Sequence, residues 1–211
     1  MQLDADAVLS ILREKGISSL FHANTLLTSS TFLHQGSLLS WGTVADRGFA
    51  QTPQQSDELD KNYGIWHDIF LDLVDIHSRA GGRNFYGPIL FRLDIQLLSA
   101  PWLTCVMITK KNPTKWTDGD SWQDRYYTSP AEFQQHHSFG NFGSSLILTL
   151  EGGSLPLSPY LQSLIVDDPQ CKSCGRDIFD CTIGALRCGL NSSGLHKFLS
   201  IGDYVHPVVL V

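Results

Sequence analysis

Residues 144–151, SSLILTLE, are apolar at nearly every position between the opening serines and the closing glutamate. A strand with one wet face alternates apolar and polar residues. A short apolar run that does not alternate belongs to a strand covered on both faces. This chain must therefore build a sheet with material packed on each side. Four further segments supply strands: 65–76 (IWHDIFLDLVDI), 87–98 opened by Gly87-Pro88, 103–110 (LTCVMITK) and 161–168 (LQSLIVDD), all rich in β-branched and large apolar residues. An earlier strand is expected over 18–24 (SSLFHAN), and 202–211 has the look of a closing one.

Helices alternate with these strands irregularly. The stretch 3–16 opens on acids, carries Val8, Leu9 and Leu12 at helical spacing and ends at Gly16, which predicts a capped amphipathic helix. Thr28 or Ser29 is the expected cap of a two-turn helix over 30–35 that Gly36 stops. Short helices are also expected near 130–136 and over 176–189. Residues 43–63 are polar and aperiodic, and a loop that long in a compact domain is usually a lid or a binding loop. The sum is an α+β domain with a mixed, mainly antiparallel sheet and peripheral helices, and 211 residues suit one such domain.

Composition narrows the function classes. With 42% hydrophobic and 17% charged residues the chain is expected to fold, and no apolar run nears the ~20 residues of a spanning helix, so no membrane role is expected. Acids near the N-terminus, where a signal peptide carries Lys or Arg, lead to an expected cytoplasmic location. A net charge of -6 argues against holding long duplex DNA by general electrostatics. A local groove remains open: Lys110, Lys111 and Lys115 lie beside Trp116 and Trp122, a combination that can track a single strand by charge and stacking, or serve as a solvated loop.

The order strand, Phe21-His22-Ala23-Asn24-Thr25, short helix, Gly36, then Leu38-Leu39-Ser40 resembles the start of the DarT-type ADP-ribosyltransferases. Downstream, YGIWHDIFLDLVDIHSRA, GPILFRL and SSLILTLEGGSLPLSPYLQSLIVDD resemble later segments of that fold in the correct order, so the likeness spans roughly residues 17–168. The resemblance implies an ADP-ribosyltransferase fold and an enzyme that takes NAD as substrate. The modified acceptor would be nucleic acid, single-stranded DNA or RNA, in a toxin of a bacterial toxin–antitoxin or anti-phage system. An antitoxin or a chaperone is the implied protein partner.

It also implies site residues. His22 would grip the NAD ribose, with Ala23, Asn24 and Thr25 lining the same cleft. Residues 43–63 would cover NAD, and Arg47, the only arginine there, would meet the pyrophosphate. His67 and Asp68 form the His-Asp segment, in which His67 could position or deprotonate the acceptor. The chain departs from the pattern at one place. Where the family has its catalytic glutamate, this sequence has Ser144 and Ser145, and the strand's only carboxylate, Glu151, lies about 20 Å further along. Three explanations stay open: Glu151 is the acid; Glu132, Asp118 or Asp120 reaches in; or the domain binds NAD, ADP-ribose or a protein partner without efficient transfer. A metal-dependent nuclease built on Asp72, Asp75 and Asp94 is a third class of reading.

Cys171, Cys174, Cys181 and Cys188 are spaced C-x2-C-x6-C-x6-C. The first pair suits a zinc knuckle, but the second pair would lie about 10 Å apart on a helix. His196 and His206 could replace it, or Cys181 and Cys188 could simply sit on the buried face of that helix.

Overall fold

The computed structural model describes residues 2–54, 56–76, 86–168 and 171–195. The expected closing strand over 202–211 lies outside them. Seven strands make one sheet in the order β1 (Leu3–Asp4), β6 (Cys105–Ile108), β7 (Ser145–Leu148), β4 (Ile69–Asp72), β2 (Ser19–Asn24), β5 (Ile89–Asp94) and β9 (Leu161–Val166). Every pairing among these strands is antiparallel, so the sheet is not mixed as expected. Strand β7 is buried at all four positions, as its unbroken apolar run requires.

Cover comes from both sides. The main core joins α1 (Ala5–Glu14), α2 (Leu26–Gln35) and a C-terminal helix (Ile178–Ser192) to Leu20, Leu71, Phe91 and Leu146 of the sheet. On the opposite face, Ile65, Met107, Trp116, Tyr126 and Ile147 form one cluster, and Val74, Ile76 and Leu90 form another against Phe21 and Ala23. The helix pair packs closely: a Cβ on Gly189 would stand 2.8 Å from that of Leu33. A small two-stranded antiparallel sheet pairs β3 (Ser37–Leu39) with β8 (Ser154–Pro156).

Local sequence explains most boundaries. Asp4 caps α1 by accepting from the Ala7 N–H at 2.8 Å. The cap of α2 is Thr25 rather than Thr28 or Ser29, both of which are buried within the helix. Its end at Gly36 is as expected, in the left-handed conformation with φ 64° that glycine adopts without strain. Residues 43–63 are not one loop. Helices α3 (Trp41–Asp46) and α4 (Asp57–Asn62) bracket an irregular segment, each too short to show a period. The strands expected over 65–76 and 87–98 are shorter: β4 keeps four residues, and β5 passes into a 3₁₀ turn over Ile95–Ser99. The helix near 130–136 is present as Pro130–His136.

Candidate active site

The sheet is seamed near its middle. Strand β2 pairs with β5 along its whole length, from Ser19↔Asp94 to Asn24↔Ile89, yet meets β4 in register only at Phe21↔Asp72. Beyond that pair the strands part, and a cavity of about 130 Å³ opens between them. His22, Ala23 and Asn24 border it from β2, with Asp68, Phe70 and Asp72 on the β4 side. Ser145 of β7, Asp60 of α4, and the turn carrying Asn112 and Thr114 complete the walls.

His22 bridges the seam. Its Nδ1 lies 2.8 Å from the Phe70 carbonyl oxygen, which can only accept, so Nδ1 carries the proton and Nε2 is left as an acceptor. Asn24 is buried, and its Oδ1 accepts from the Thr25 N–H at 2.9 Å, which turns its Nδ2 toward His22 Nε2 at 3.3 Å. The ring also packs against Phe32 and Phe91, with centroids 5.7 and 6.3 Å away. Burial lowers the His22 pKa below its ordinary value, against a smaller opposite pull from the Phe70 bond. The imidazole is therefore a neutral acceptor fixed in orientation. The backbone-bonded core histidine and the cavity-lining histidine are the same residue, one nitrogen serving each role.

The cavity walls carry three carboxyl groups and, among the described residues, no lysine or arginine. Burial pushes Asp72 up to about 7, opposed by a hydrogen bond that the Ser145 hydroxyl donates at 3.5 Å. Burial likewise raises Asp60 to about 6, eased by Ser56 and reinforced by the charge of Asp57. Asp68 is raised by burial against a hydrogen bond with Thr149 and the charge of His67. Acids whose pKa values are raised by burial favour a cationic guest, whose charge restores what burial removes.

Several expected site residues stand elsewhere. Arg47 and His67 border a separate shallow cleft with Asp46, Gly152 and Gly153, and His67 Nδ1 lies 3.9 Å from Asp46. Helix α3 separates the two sites: Trp41 at its start borders the cavity, and Arg47 caps its far end, about 9 Å away along the axis. Glu151 is exposed and begins a 3₁₀ turn past the end of β7 opposite to Ser145, so the strand carries it away from His22. Thr25 is structural. Its hydroxyl caps α2 and bonds Thr52 at 2.8 Å, and it does not border the cavity.

The other candidate acids are engaged away from the site. Glu132 accepts from the Thr128 N–H and hydroxyl, both at 2.7 Å, and pairs with Lys110, which hold its carboxyl down at about 2. Asp120 pairs with Lys111 at 2.8 Å, and Asp118 is exposed. These same pairs engage two lysines of the expected basic groove. Trp116 is buried under Arg125, whereas Trp122 is 53% exposed and stacks on Tyr126 with centroids 4.5 Å apart.

Cys181 and Cys188 are exposed, so they do not belong to the buried face of their helix, which is formed by Thr182, Ile183, Leu186, Gly189 and Leu190. Cys171 precedes and Cys174 lies in the turn of a tight hairpin, β10 (Lys172–Ser173) with β11 (Arg176–Asp177), and His196 and His206 lie outside the described residues. No group of three or more His, Cys, Asp or Glu side chains is arranged to hold a metal among the described residues. The acids of the nuclease reading are dispersed, Asp94 being spent on capping the 3₁₀ turn. No described helix is long and apolar enough to cross a membrane.

Sequence reasoning missed Asp60 and assigned Asp72 to a different chemistry. The signal for Asp72 was its place in strand β4, and its meaning depended on the register with β7. No protein-family model matches the chain, and no curated protein matches it.

Proposed function

We propose that the protein is an NAD-dependent ADP-ribosyltransferase of the DarT-like fold that modifies single-stranded nucleic acid, as the toxin of a bacterial toxin–antitoxin or anti-phage system. The observation that carries this reading is the seam cavity itself, which a neutral, oriented histidine acceptor lines together with three carboxyls and with no cationic side chain among the described residues. The nicotinamide-ribosyl end of NAD is cationic, and its ribose becomes more so as the glycosidic bond loosens toward an oxocarbenium-like state. On binding, the Asn24 amide, 3.3 Å from His22 Nε2, gives up the lone pair of that nitrogen to a ribose hydroxyl, and the Nδ1 bond to the Phe70 carbonyl keeps the ring in place. Fixed acceptors around the cation lower the barrier without reorganising, because their positions are set by the sheet. The pyrophosphate is anionic and belongs outside this slot. Arg47 meets it where the dinucleotide leaves along α3.

The test is incubation of the protein with adenylate-labelled NAD and, in parallel, single-stranded DNA, RNA or protein extract. Transfer of label to a nucleic acid with release of nicotinamide is the expected result. Binding of NAD or ADP-ribose without transfer would favour the binding-module reading, for which the serines at 144 and 145 speak. Absence of both binding and release would refute the NAD assignment.

A further inference from the structure

Ser144 and Ser145 stand where the resemblance places the catalytic acid, and the direct cross-strand partner of Ser145 on β4 is Asp72. Residues opposite one another in an antiparallel ladder point to the same face with their Cβ atoms about 5 Å apart. A carboxylate on β4 can therefore serve the space that one on β7 would serve. The pair is in contact, with the Ser145 hydroxyl donating to Asp72 Oδ1 at 3.5 Å, and both residues border the cavity of His22. We propose that Asp72 is a catalytic residue of this site and supplies the carboxylate that faces the ribosyl cation, with Ser145 as its positioning residue. The inference rests on the NAD reading of the cavity.

The step balances without a further reactant. The C1′–N bond of NAD breaks with its electron pair going to the pyridinium nitrogen, which leaves as neutral nicotinamide. A lone pair of the acceptor, a nucleobase heteroatom or water, forms the new bond to C1′. The acceptor's proton passes to Asp72 and then to solvent, so Asp72 must be ionised when the cycle starts.

The experiment compares the wild-type chain, Asp72→Asn, and Asp72→Ser combined with Ser145→Glu. NAD binding is measured by calorimetry, and nicotinamide release with water or a single-stranded oligonucleotide as acceptor is measured at saturating NAD. Asp72→Asn keeps the shape of the side chain, so binding should persist while release falls about 100-fold, the usual cost of losing one group aimed at developing charge. Moving the carboxylate across the ladder in the double variant should restore about a tenth or more of that loss, which a merely structural Asp72 would not allow. The rate should rise with pH through neutrality in the wild type and lose that limb in the asparagine variant. The other titratable groups lining the cavity are His22 from β2, Asp68 just before β4, Asp60 from α4 and Tyr86, whereas β7 presents only Ser145 and the 113–115 turn none. A folded Asp72→Asn protein that releases nicotinamide at the wild-type rate overturns the assignment while leaving the NAD reading intact. A wild-type protein that neither binds NAD nor releases nicotinamide removes both.

Discussion

Asparagine at position 72 should make the protein more stable at alkaline pH and leave it unchanged in acid. The Asp72 carboxyl is raised from an ordinary 3.8 to about 7 by burial, so the native state holds this proton more tightly than the unfolded chain does. Between those two values folding takes up a proton. Stability from this group is therefore complete below about pH 4 and lost progressively until about pH 7, above which a bare carboxylate sits in the slot. Three pH decades at 1.36 kcal/mol each give about 4 kcal/mol for a fully enclosed group. Asp72 is only half-buried by area, because its oxygens also meet cavity solvent, which screens the charge, and about 2 kcal/mol is the expected penalty. The substituted amide carries no charge at any pH and can still accept from Ser145. For a domain of this size, about 2 kcal/mol corresponds to a rise in Tm of about 4–8 °C. The assay is thermal unfolding of both proteins from pH 4 to pH 8.5, read as the difference between them. A difference that stays flat with pH, or that favours the wild type at pH 8, would show that Asp72 is not held protonated by burial.

Other outcomes follow from single contacts. Thr25→Ala removes the cap of α2 and should lower stability by about 1 kcal/mol in urea unfolding while NAD binding changes little. Gly87→Ala should disrupt the site, since a Cβ there would stand 2.3 Å from the Asn24 backbone at φ 110°; loss of soluble folded protein or of NAD binding checks it. His137 is lowered to about 4 by burial among Tyr127, Phe133 and Phe139. The unfolded chain takes up that proton first, so stability should fall as pH drops from 6.5 to 4, and His137→Phe should blunt this loss in acid-unfolding curves. Trp122→Ala, which removes the exposed end of an aromatic stack, should weaken binding of a single-stranded oligonucleotide by about 1–3 kcal/mol in a fluorescence titration.

What could be read in advance was set by short-range chemistry. The unbroken apolar run of β7, the Ser129-Pro130 start of the 130–136 helix and the Asp4 and Gly16 ends of α1 each carry their cause within a few residues. Thr28 and Ser29 were the expected caps of α2, but Thr25 caps it instead and the added turn packs Leu26 against the core. Helices α3 and α4, at six residues each, have no room for a period. The site itself was half legible. His22 and Asn24 lie on one strand two positions apart, a local pattern. Pairing Asp72 with Ser145 depends on a register across 73 residues of chain, and that Arg47 borders a cleft other than that of His22 depends on α3, which the polar stretch did not announce.

The parted strands also say how a guest would be felt by the rest of the molecule. Among the described residues, the ladder between the plate of β1, β6, β7 and β4 and the plate of β2, β5 and β9 is reduced to one register pair, Phe21 with Asp72, supported by the His22–Phe70 bond and by the packing of Val74 and Ile76 on Phe21 and Leu90. Anything wedged between the plates touches both, so occupancy braces the weakest line of the sheet. Amide protons of β4 and of residues 22–24 should then exchange more slowly in the filled protein than in the empty one, and the outer strands should scarcely notice.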